Sequence, residues 1–448
     1  MNEHTPATPA AVGATAPVAA AENASAYATA PAEPDLNTAA TPKPRKVSGW
    51  FIAVYMLTYF ALNLTMLLPA LFSIAYKVQL IDPAAKATSL GIIIGVGSIF
   101  GLVAGPLFGV LSDATRVLWG RRRTWHVAGI GLAALGASVT AAAPNTVVMV
   151  VGYAIAQLGV AAFSAGFNPI LAERVPSYQR GKVGALGGVS ASLAGVGAYL
   201  VGAQLTGNIF VLFLLPVALF LLVSILFFVT VPDAPAPEGT AAPSVSELAR
   251  SFVFNPKNFP DFAMVWLGKF LLQFGFTFFS TYQLYLLLDR LGFTPTQAAG
   301  QLGLVSGLSL LAMMGFAVGG GFLSDKLRRR KPFIYTASVL IVSGLAVVSI
   351  APDFVTIVIG GVLLSAGVGA FTSVDLAMAT DLLPERNKAG KYMGIYYLSS
   401  GIPGALAPLV APTILMIGGG ANYTLLFLFG AALALGTIIT TWRIRGVR

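Results

Sequence analysis

The chain has 448 residues, of which 56% are hydrophobic and 10% are charged, and its formal net charge is +10. A soluble domain carries about 25% charged residues, so this composition excludes a water-soluble globular protein. The basic excess does not predict nucleic-acid binding, because the Lys and Arg residues fall in short clusters between apolar stretches and form no continuous basic face.

The first 45 residues are rich in Ala, Pro and Thr and contain few bulky apolar residues, which predicts a disordered tail. No basic start followed by an apolar stretch is found in this tail, so we expect no cleaved signal peptide and a retained first span. Apolar stretches of about 20 residues then recur, and each is long enough to cross a hydrocarbon core of about 30 Å as a helix. The twelve predicted spans are 49–76, 88–112, 124–143, 146–172, 183–206, 209–231, 262–288, 298–323, 332–351, 354–380, 391–417 and 422–442.

A polar, proline-rich segment separates the first six spans from the second six and is typical of a linker. With an N-terminus in the cytoplasm, 23 of the 27 Lys and Arg residues fall in cytoplasmic segments. The positive-inside rule therefore predicts that both termini are cytoplasmic, with Lys77, Lys86 and Arg290 outside. The predicted fold is an all-α membrane protein organised as a cytoplasmic tail (1–45), a six-helix half (46–231), a cytoplasmic linker (232–261) and a second six-helix half (262–448).

An internal repeat relates the two halves. The sequence GVLSD at 109–113 recurs as GFLSD at 321–325, and a basic run follows each copy. A second match aligns 159–163 with 367–371, and the same offset of 208 relates Glu173 to Asp381. Parallel repeats of this kind predict two similar halves that enclose a substrate site near the membrane midplane.

These motifs resemble those of the major facilitator superfamily. The stretch GVLSDATRVLWGRRR at 109–123 is similar to the loop signature of that superfamily, in the lengthened form of glycoside carriers and sucrose/proton symporters. YQLYLL at 282–287 and SVDLAMATDLLP at 373–384, followed by GKYMG from Gly390, agree with this branch. The resemblance implies a multi-pass transporter of the plasma (inner) membrane that works as a monomer by alternating access, is driven by an ion gradient without a cofactor, and imports a neutral sugar or glycoside.

Two departures from related families bear on the driving ion and on the direction of transport. Melibiose-type carriers have membrane-embedded aspartates in their first half, and spans 2 and 4 here have none, so protons are favoured over sodium. Drug/proton antiporters usually carry a proline in a Gly-rich fifth span, whereas 187–202 is Gly-rich without one. Export of an amphipathic small molecule by proton antiport remains the alternative to import.

Two charged residues lie deep inside predicted spans. Of 17 acidic residues only Asp375 lies deep in a span, roughly 13 Å of helix rise from Pro384, and Lys269 lies at a comparable depth in span 7. Charges at such depth are costly unless they function or pair. Because spans 7 and 10 line one cavity in the resembled superfamily, we predict that Lys269 and Asp375 pair in one state and couple proton movement to transport. A static structural ion pair is the alternative.

Polar residues in spans 1, 4, 7 and 10 fall on common faces at 100° per residue. Amide and hydroxyl groups there suit a neutral hydroxylated ligand on which aromatic rings can stack, although some of them are expected to form hydrogen bonds between helices instead. The predicted cavity residues are Tyr55, Tyr59, Asn63, Tyr153, Gln157, Ser164, Asn168, Gln273, Thr277, Ser280, Gln283 and Thr372.

Asp113 and Asp325 end the second and eighth spans beside basic clusters. Carboxylates and arginines at helix ends can lock one face of a transporter by ion pairs that break during turnover. The alternative is that the basic residues only determine topology and contact anionic lipids. The predicted gate residues are Asp113, Arg116, Arg121, Arg122, Glu173, Arg180, Asp325, Lys326, Arg329, Arg330 and Asp381.

An enzyme or a metalloprotein is not expected. The sequence has no cysteine and only two histidines, His4 and His126, which lie far apart in the chain. A nucleophile or metal cluster at membrane depth would need such residues close together.

Overall fold

A computed structural model describes residues 46–117, 120–231, 233, 254–385 and 388–446. The predicted tail and most of the predicted linker lie outside these residues. Within them the chain forms helices and no strand, and twelve helices are long and apolar enough to span a membrane, which confirms the predicted fold class. In chain order the helices are α1 (Gly49–Ile81), α2 (Lys86–Ala114), α3 (Arg121–Ala142), α4 (Thr146–Arg174), α5 (Ser177–Gln204), α6 (Ile209–Thr230), α7 (Pro260–Leu291), α8 (Pro295–Leu327), α9 (Lys331–Ser349), α10 (Phe354–Asp381), α11 (Ala389–Leu415) and α12 (Tyr423–Arg443).

Short polar side chains cap many of these helices at the point where an apolar run begins. Ser48 accepts a hydrogen bond from Phe51 N, and Asn145, Asn208 and Asn422 accept equivalent bonds before α4, α6 and α12. Asp353 caps α10, and its bonds from the Thr356 backbone N–H and hydroxyl lower the pKa of its carboxyl. The caps satisfy donors that a helix start leaves unpaired.

The two halves are built in the same way. In the first half α1 packs against α5 and α6, α3 packs against α4 and α6, and α2 packs against α4; α7 to α12 repeat all five pairings in the same order. Gly136 and Gly152 bring the α3 and α4 backbones together, and Gly344 and Gly360, at the offset of 208, do so between α9 and α10. The repeat seen in the sequence is therefore a repeat of packing.

The loops lie at two faces of the bundle. Both described chain ends and the loops after α2, α4, α8 and α10 lie at one face, which we call the basic face because of its Lys and Arg clusters. The loops after α1, α3, α5, α7, α9 and α11 lie at the opposite face. The halves meet mainly through two helix pairs, α2 with α11 and α5 with α8.

A cation donates to the last carbonyls of one helix in each half. Helix α1 continues to Ile81, beyond its predicted end, so Lys77 lies within it, buried, and donates to the carbonyls of Thr140 (2.6 Å) and Ala141 (2.8 Å) at the end of α3. In the second half Arg290 donates to Ser349 O (2.9 Å) at the end of α9. Cations stabilise helix C-termini by pairing with their last carbonyls.

Replacing Lys77 with Met should therefore lower stability by about 1–3 kcal/mol, because the carbonyls at the end of α3 lose their donor inside the protein. The check is the thermal midpoint in detergent, followed by intrinsic fluorescence, with Lys182→Met as the control because Lys182 is exposed on α5. An unchanged midpoint in the Lys77 variant would show that the cap contributes nothing.

Candidate functional site

A cavity lies between the two halves and consists of two adjoining chambers. The first, of about 500 Å³, is bordered mainly by α1, α4, α5, α7, α8 and α10, with smaller contributions from α2 and α11, and we call it the polar chamber. The second, of about 640 Å³, lies between α2, α4 and α11 beside Gly101, Gly105 and Gly109, and we call it the small-residue chamber. Among the described residues that line either chamber, none is Asp, Glu, Lys, Arg or His. Such a lining suits a neutral ligand.

Most of the predicted cavity residues line these chambers. Tyr153 and Gln157 from α4 reach the polar chamber, and Gln157 also borders the small-residue chamber. The predicted residues that line either chamber are Tyr153, Gln157, Ser164, Asn168, Gln273, Thr277, Ser280 and Gln283.

Four predicted cavity residues do not line either chamber. Tyr55 is buried with its ring stacked on Phe167 at 4.6 Å, and Tyr59 lies beside the same ring. Asn63 donates to the Tyr59 carbonyl within α1, and Thr372 is exposed and donates to the Gly369 carbonyl within α10. Helical periodicity finds a polar face but does not decide whether that face meets the cavity, the other helices of its own half or the outside.

Two side-chain amides that border the polar chamber have no partner among the described residues. Within the described residues the side-chain amides of Gln157 on α4 and Gln273 on α7 form no hydrogen bond, although both border the polar chamber. Buried amides are normally paired, so groups left unpaired in a cavity wall are ready to bind a ligand. One amide comes from each half, and a bound solute would therefore join the halves.

Tyrosines close the cavity toward the opposite face. The hydroxyl of Tyr285 on α7 donates to Ala75 O of α1 at 3.0 Å. The hydroxyl of Tyr282 lies 3.1 Å from Ala87 O of α2 and from Pro408 O of α11. Both rings are fully buried and neither lines a chamber; their hydroxyls contact α1 and α2 of the first half instead.

Polar contacts between the halves surround these tyrosines. Lys86 at the start of α2 forms an ion pair with Asp289 near the end of α7. The hydroxyls of Thr206 and Thr296 lie 3.0 Å apart where α5 and α8 approach each other. At the closed end of the polar chamber Gln283 donates to the Tyr199 hydroxyl at 2.5 Å.

The paired helices separate toward the basic face. A side chain on Gly91, near the start of α2, would lie 2.2 Å from Pro408 O of α11, so the backbones touch there. At Gly109, near the end of α2, the same addition would meet nothing within 4 Å. The cavity is therefore closed at the opposite face and open at the basic face.

The two charged residues inside the helices form one pair. The ammonium of Lys269 lies 3.0 Å from Oδ2 of Asp375, and both side chains are largely buried. Oδ1 of Asp375 has no hydrogen-bond partner among the described residues. The pair lies between the cavity and the basic face, since Lys269 is one helical turn from Gln273. The residue of the first half that corresponds to Asp375, at the offset of 208, is Phe167. The first half therefore has no carboxylate at the matching position.

Ion pairs at the basic face join helices within the first half. Arg122 lies 2.8 Å from Asp113 and 2.5 Å from Glu173, and Arg121 also pairs with Glu173 at 2.8 Å. Arg180 donates to the carbonyls of Val175 and Ala172 and so caps α4. Arg116 is exposed in the loop after α2.

The second half repeats only part of this arrangement. Arg330 lies 3.0 Å from Asp381, but within the described residues the side chains of Asp325, Lys326 and Arg329 form no ion pair. Among the described residues, each ion pair of a predicted gate residue joins helices of the same half, as expected when the basic face is open. Whether they lock this face in another state stays a prediction.

Sequence reasoning missed the closure at the opposite face. Lys86 was placed there only as a marker of topology, and Asp289, Tyr199, Thr206 and Thr296 received no role. Each contact joins residues about 80 to 200 positions apart, and no periodicity along one helix encodes such a pairing. The signal available in the sequence for this closure was charge, because Asp289 lies at the end of one predicted span and Lys86 just before the start of another.

Twelve helices in two repeated halves, with a cavity open to one face, define a polytopic membrane transporter. The chain belongs to the Major Facilitator Superfamily, whose family model matches residues 51–351 and 265–447. No curated protein sequence matches the chain.

Similar solved structures include transporters of several solutes. The nucleoside transporter NupG is 13% identical with a TM-score of 0.68, covering 89% of this chain and 99% of that one. The xylose transporter XylE from E. coli, in a partially occluded inward-open conformation, is 14% identical with a TM-score of 0.64, and the match covers 88% of this chain and 96% of that one. A bacterial homologue of the human lysosomal transporter Spinster, in an inward-facing and occupied conformation, is 15% identical with a TM-score of 0.66, and the match covers 88% of this chain and 95% of that one. These likenesses support the fold.

Proposed function

We propose that this protein imports a neutral, hydroxylated solute, a sugar or glycoside, by proton-coupled alternating access across the plasma membrane. The observation that carries the proposal is the pair of amides, Gln157 and Gln273: within the described part of the chain they have no partner, and the cavity wall that they border has no charged side chain. Several hydroxyls on one small molecule match amides and serines that come from both halves. The xylose and nucleoside carriers among the similar structures transport solutes of this chemistry.

Asp375 is the proposed site of proton coupling. Its Oδ1 has no hydrogen-bond partner among the described residues, so a proton can add there without breaking a bond, while Oδ2 faces Lys269. Protonation removes the attraction that holds the two side chains together. The basic face is taken as cytoplasmic by the positive-inside rule, which makes the described state inward-open.

The test is uptake by proteoliposomes across a panel of monosaccharides, disaccharides and nucleosides, with and without an inward proton gradient. We expect at least one hydroxylated solute to accumulate only when the gradient is present. Extrusion of an amphipathic drug with no movement of any sugar would favour the exporter and overturn the proposal. Accumulation driven by sodium alone would overturn the choice of protons.

Loss of either amide should weaken substrate binding. Gln157→Leu and Gln273→Leu should each raise KM about tenfold, because a substrate hydroxyl then enters the cavity without its partner. Gln204→Leu is the matched control, since Gln204 is exposed at the end of α5. Concentration series of the transported solute measure the effect, and an unchanged KM in both cavity variants would contradict the assigned site.

A further inference from the structure

The Lys269 ammonium has a second partner besides Asp375. It lies 3.9 Å from the centroid of the Tyr396 ring on α11, within the range of a cation–π interaction. Tyr396 is 1% exposed, and its hydroxyl interacts with the Asp375 carboxyl without forming a well-aligned hydrogen bond. The contact with the Lys269 ammonium is made by the face of the ring.

A hydrogen bond between helices fixes the backbone beside this ring. Trp266 on α7 donates its indole N–H to the carbonyl of Ile395 at 2.8 Å, one residue before Tyr396, and this bond ties α11 to α7. One turn farther along α11, Ser400 borders the small-residue chamber. Helix α11 also packs against α2 of the other half. Tyr396 thus contacts the charge pair and lies one helical turn from a residue of the cavity wall.

We propose that Tyr396 is the positioning residue of the coupling pair and that its ring holds the Lys269 ammonium in place when Asp375 is protonated. The proposal rests on the proposed function, because it assumes that Asp375 carries the coupled proton. Loss of the anion leaves a cation inside the protein, and the ring face is the neutral surface already in contact with it.

Four titratable groups meet at this point from three helices. They are Lys269 from α7, Asp375 from α10, and Tyr396 and Tyr397 from α11. Tyr397 is 59% exposed and its ring centroid lies 5.9 Å from the ammonium, so Tyr397 is a matched control on the same helix.

The experiment measures uptake against external pH in proteoliposomes. Tyr396→Leu removes the ring, so the state with protonated Asp375 and charged Lys269 becomes less favourable and more acid is needed to reach it. Half-maximal uptake should move about one pH unit toward acid, as expected for losing a cation–π contact away from water. Tyr396→Phe keeps the ring and removes only the hydroxyl that approaches Asp375, so the acid shift of Tyr396→Leu should be absent from it. Tyr397→Leu should retain the native profile.

Substrate counterflow without a gradient shows that each variant is folded and binds substrate. If Tyr396→Leu performs counterflow and keeps the native pH profile, the positioning role is wrong. An equal shift in Tyr397→Leu would also overturn it. The Asp375→Asn variant separates the two proposals. If gradient-driven uptake survives in this variant, the coupling role of Asp375 is refuted. If that uptake is lost while the pH profile of Tyr396→Leu stays unshifted, only the role of Tyr396 is refuted.

Discussion

A disulfide between residues 206 and 296 should stop transport, and reduction should restore it. The Thr206 and Thr296 hydroxyls lie 3.0 Å apart and belong to different halves, so cysteines at these positions come close enough to bond. The bond would hold α5 and α8 together at the opposite face, where they must separate if the cavity is to open on that side. Uptake by the oxidised Thr206→Cys/Thr296→Cys protein should fall at least about tenfold, since the closed contact is covalently fixed.

The chain allows a clean comparison because it contains no cysteine of its own. The matched control is Ser89→Cys/Thr146→Cys, whose native hydroxyls lie 3.1 Å apart at the same face but within the first half. Oxidation of this control should leave uptake nearly unchanged, because α2 and α4 move together. If oxidised Thr206→Cys/Thr296→Cys transports at the rate of its reduced form, the opposite-face contacts are not part of the conformational cycle.

Much of the fold was predictable because the membrane imposes it. An apolar run long enough to span must be helical, since hydrocarbon offers no partner for backbone groups, and this rule found all twelve helices. The ends were less predictable. Helix α5 begins at Ser177, six residues before its predicted start at 183, because a helix continues into water after its apolar residues end. Hydropathy marks the limit of the apolar residues and not the last hydrogen-bonded turn.

The site was predictable only in part, for a related reason. Lys269 and Asp375 were found because charges are rare and costly in membranes, and the amides of α4 and α7 because they repeat on one face. Tyr55 and Asn63 show the same periodicity and turn toward their own half. The choice between these outcomes depends on how each helix is rotated against its neighbours, and tertiary packing decides that rotation.

Removing both charges of the buried pair should separate its structural role from its role in coupling. Asp375→Asn alone leaves Lys269 without its anion and should cost about 3–5 kcal/mol of stability. Lys269→Gln/Asp375→Asn contains no unpaired charge, and neutral replacement of a buried pair is often without cost, so its stability should return to within about 1 kcal/mol of the native value. The thermal midpoints of the two single variants and the double variant in detergent measure the coupling energy.

Transport by the double variant then decides what the pair does. A carrier without an ionisable group at position 375 should still exchange substrate for substrate, because counterflow moves no net proton, but a proton gradient should no longer drive accumulation. Restored stability with lost accumulation is the result expected of a coupling pair. A stable double variant that still accumulates substrate in proportion to the gradient would make Lys269 and Asp375 a static ion pair. The proton would then have to cross on another group.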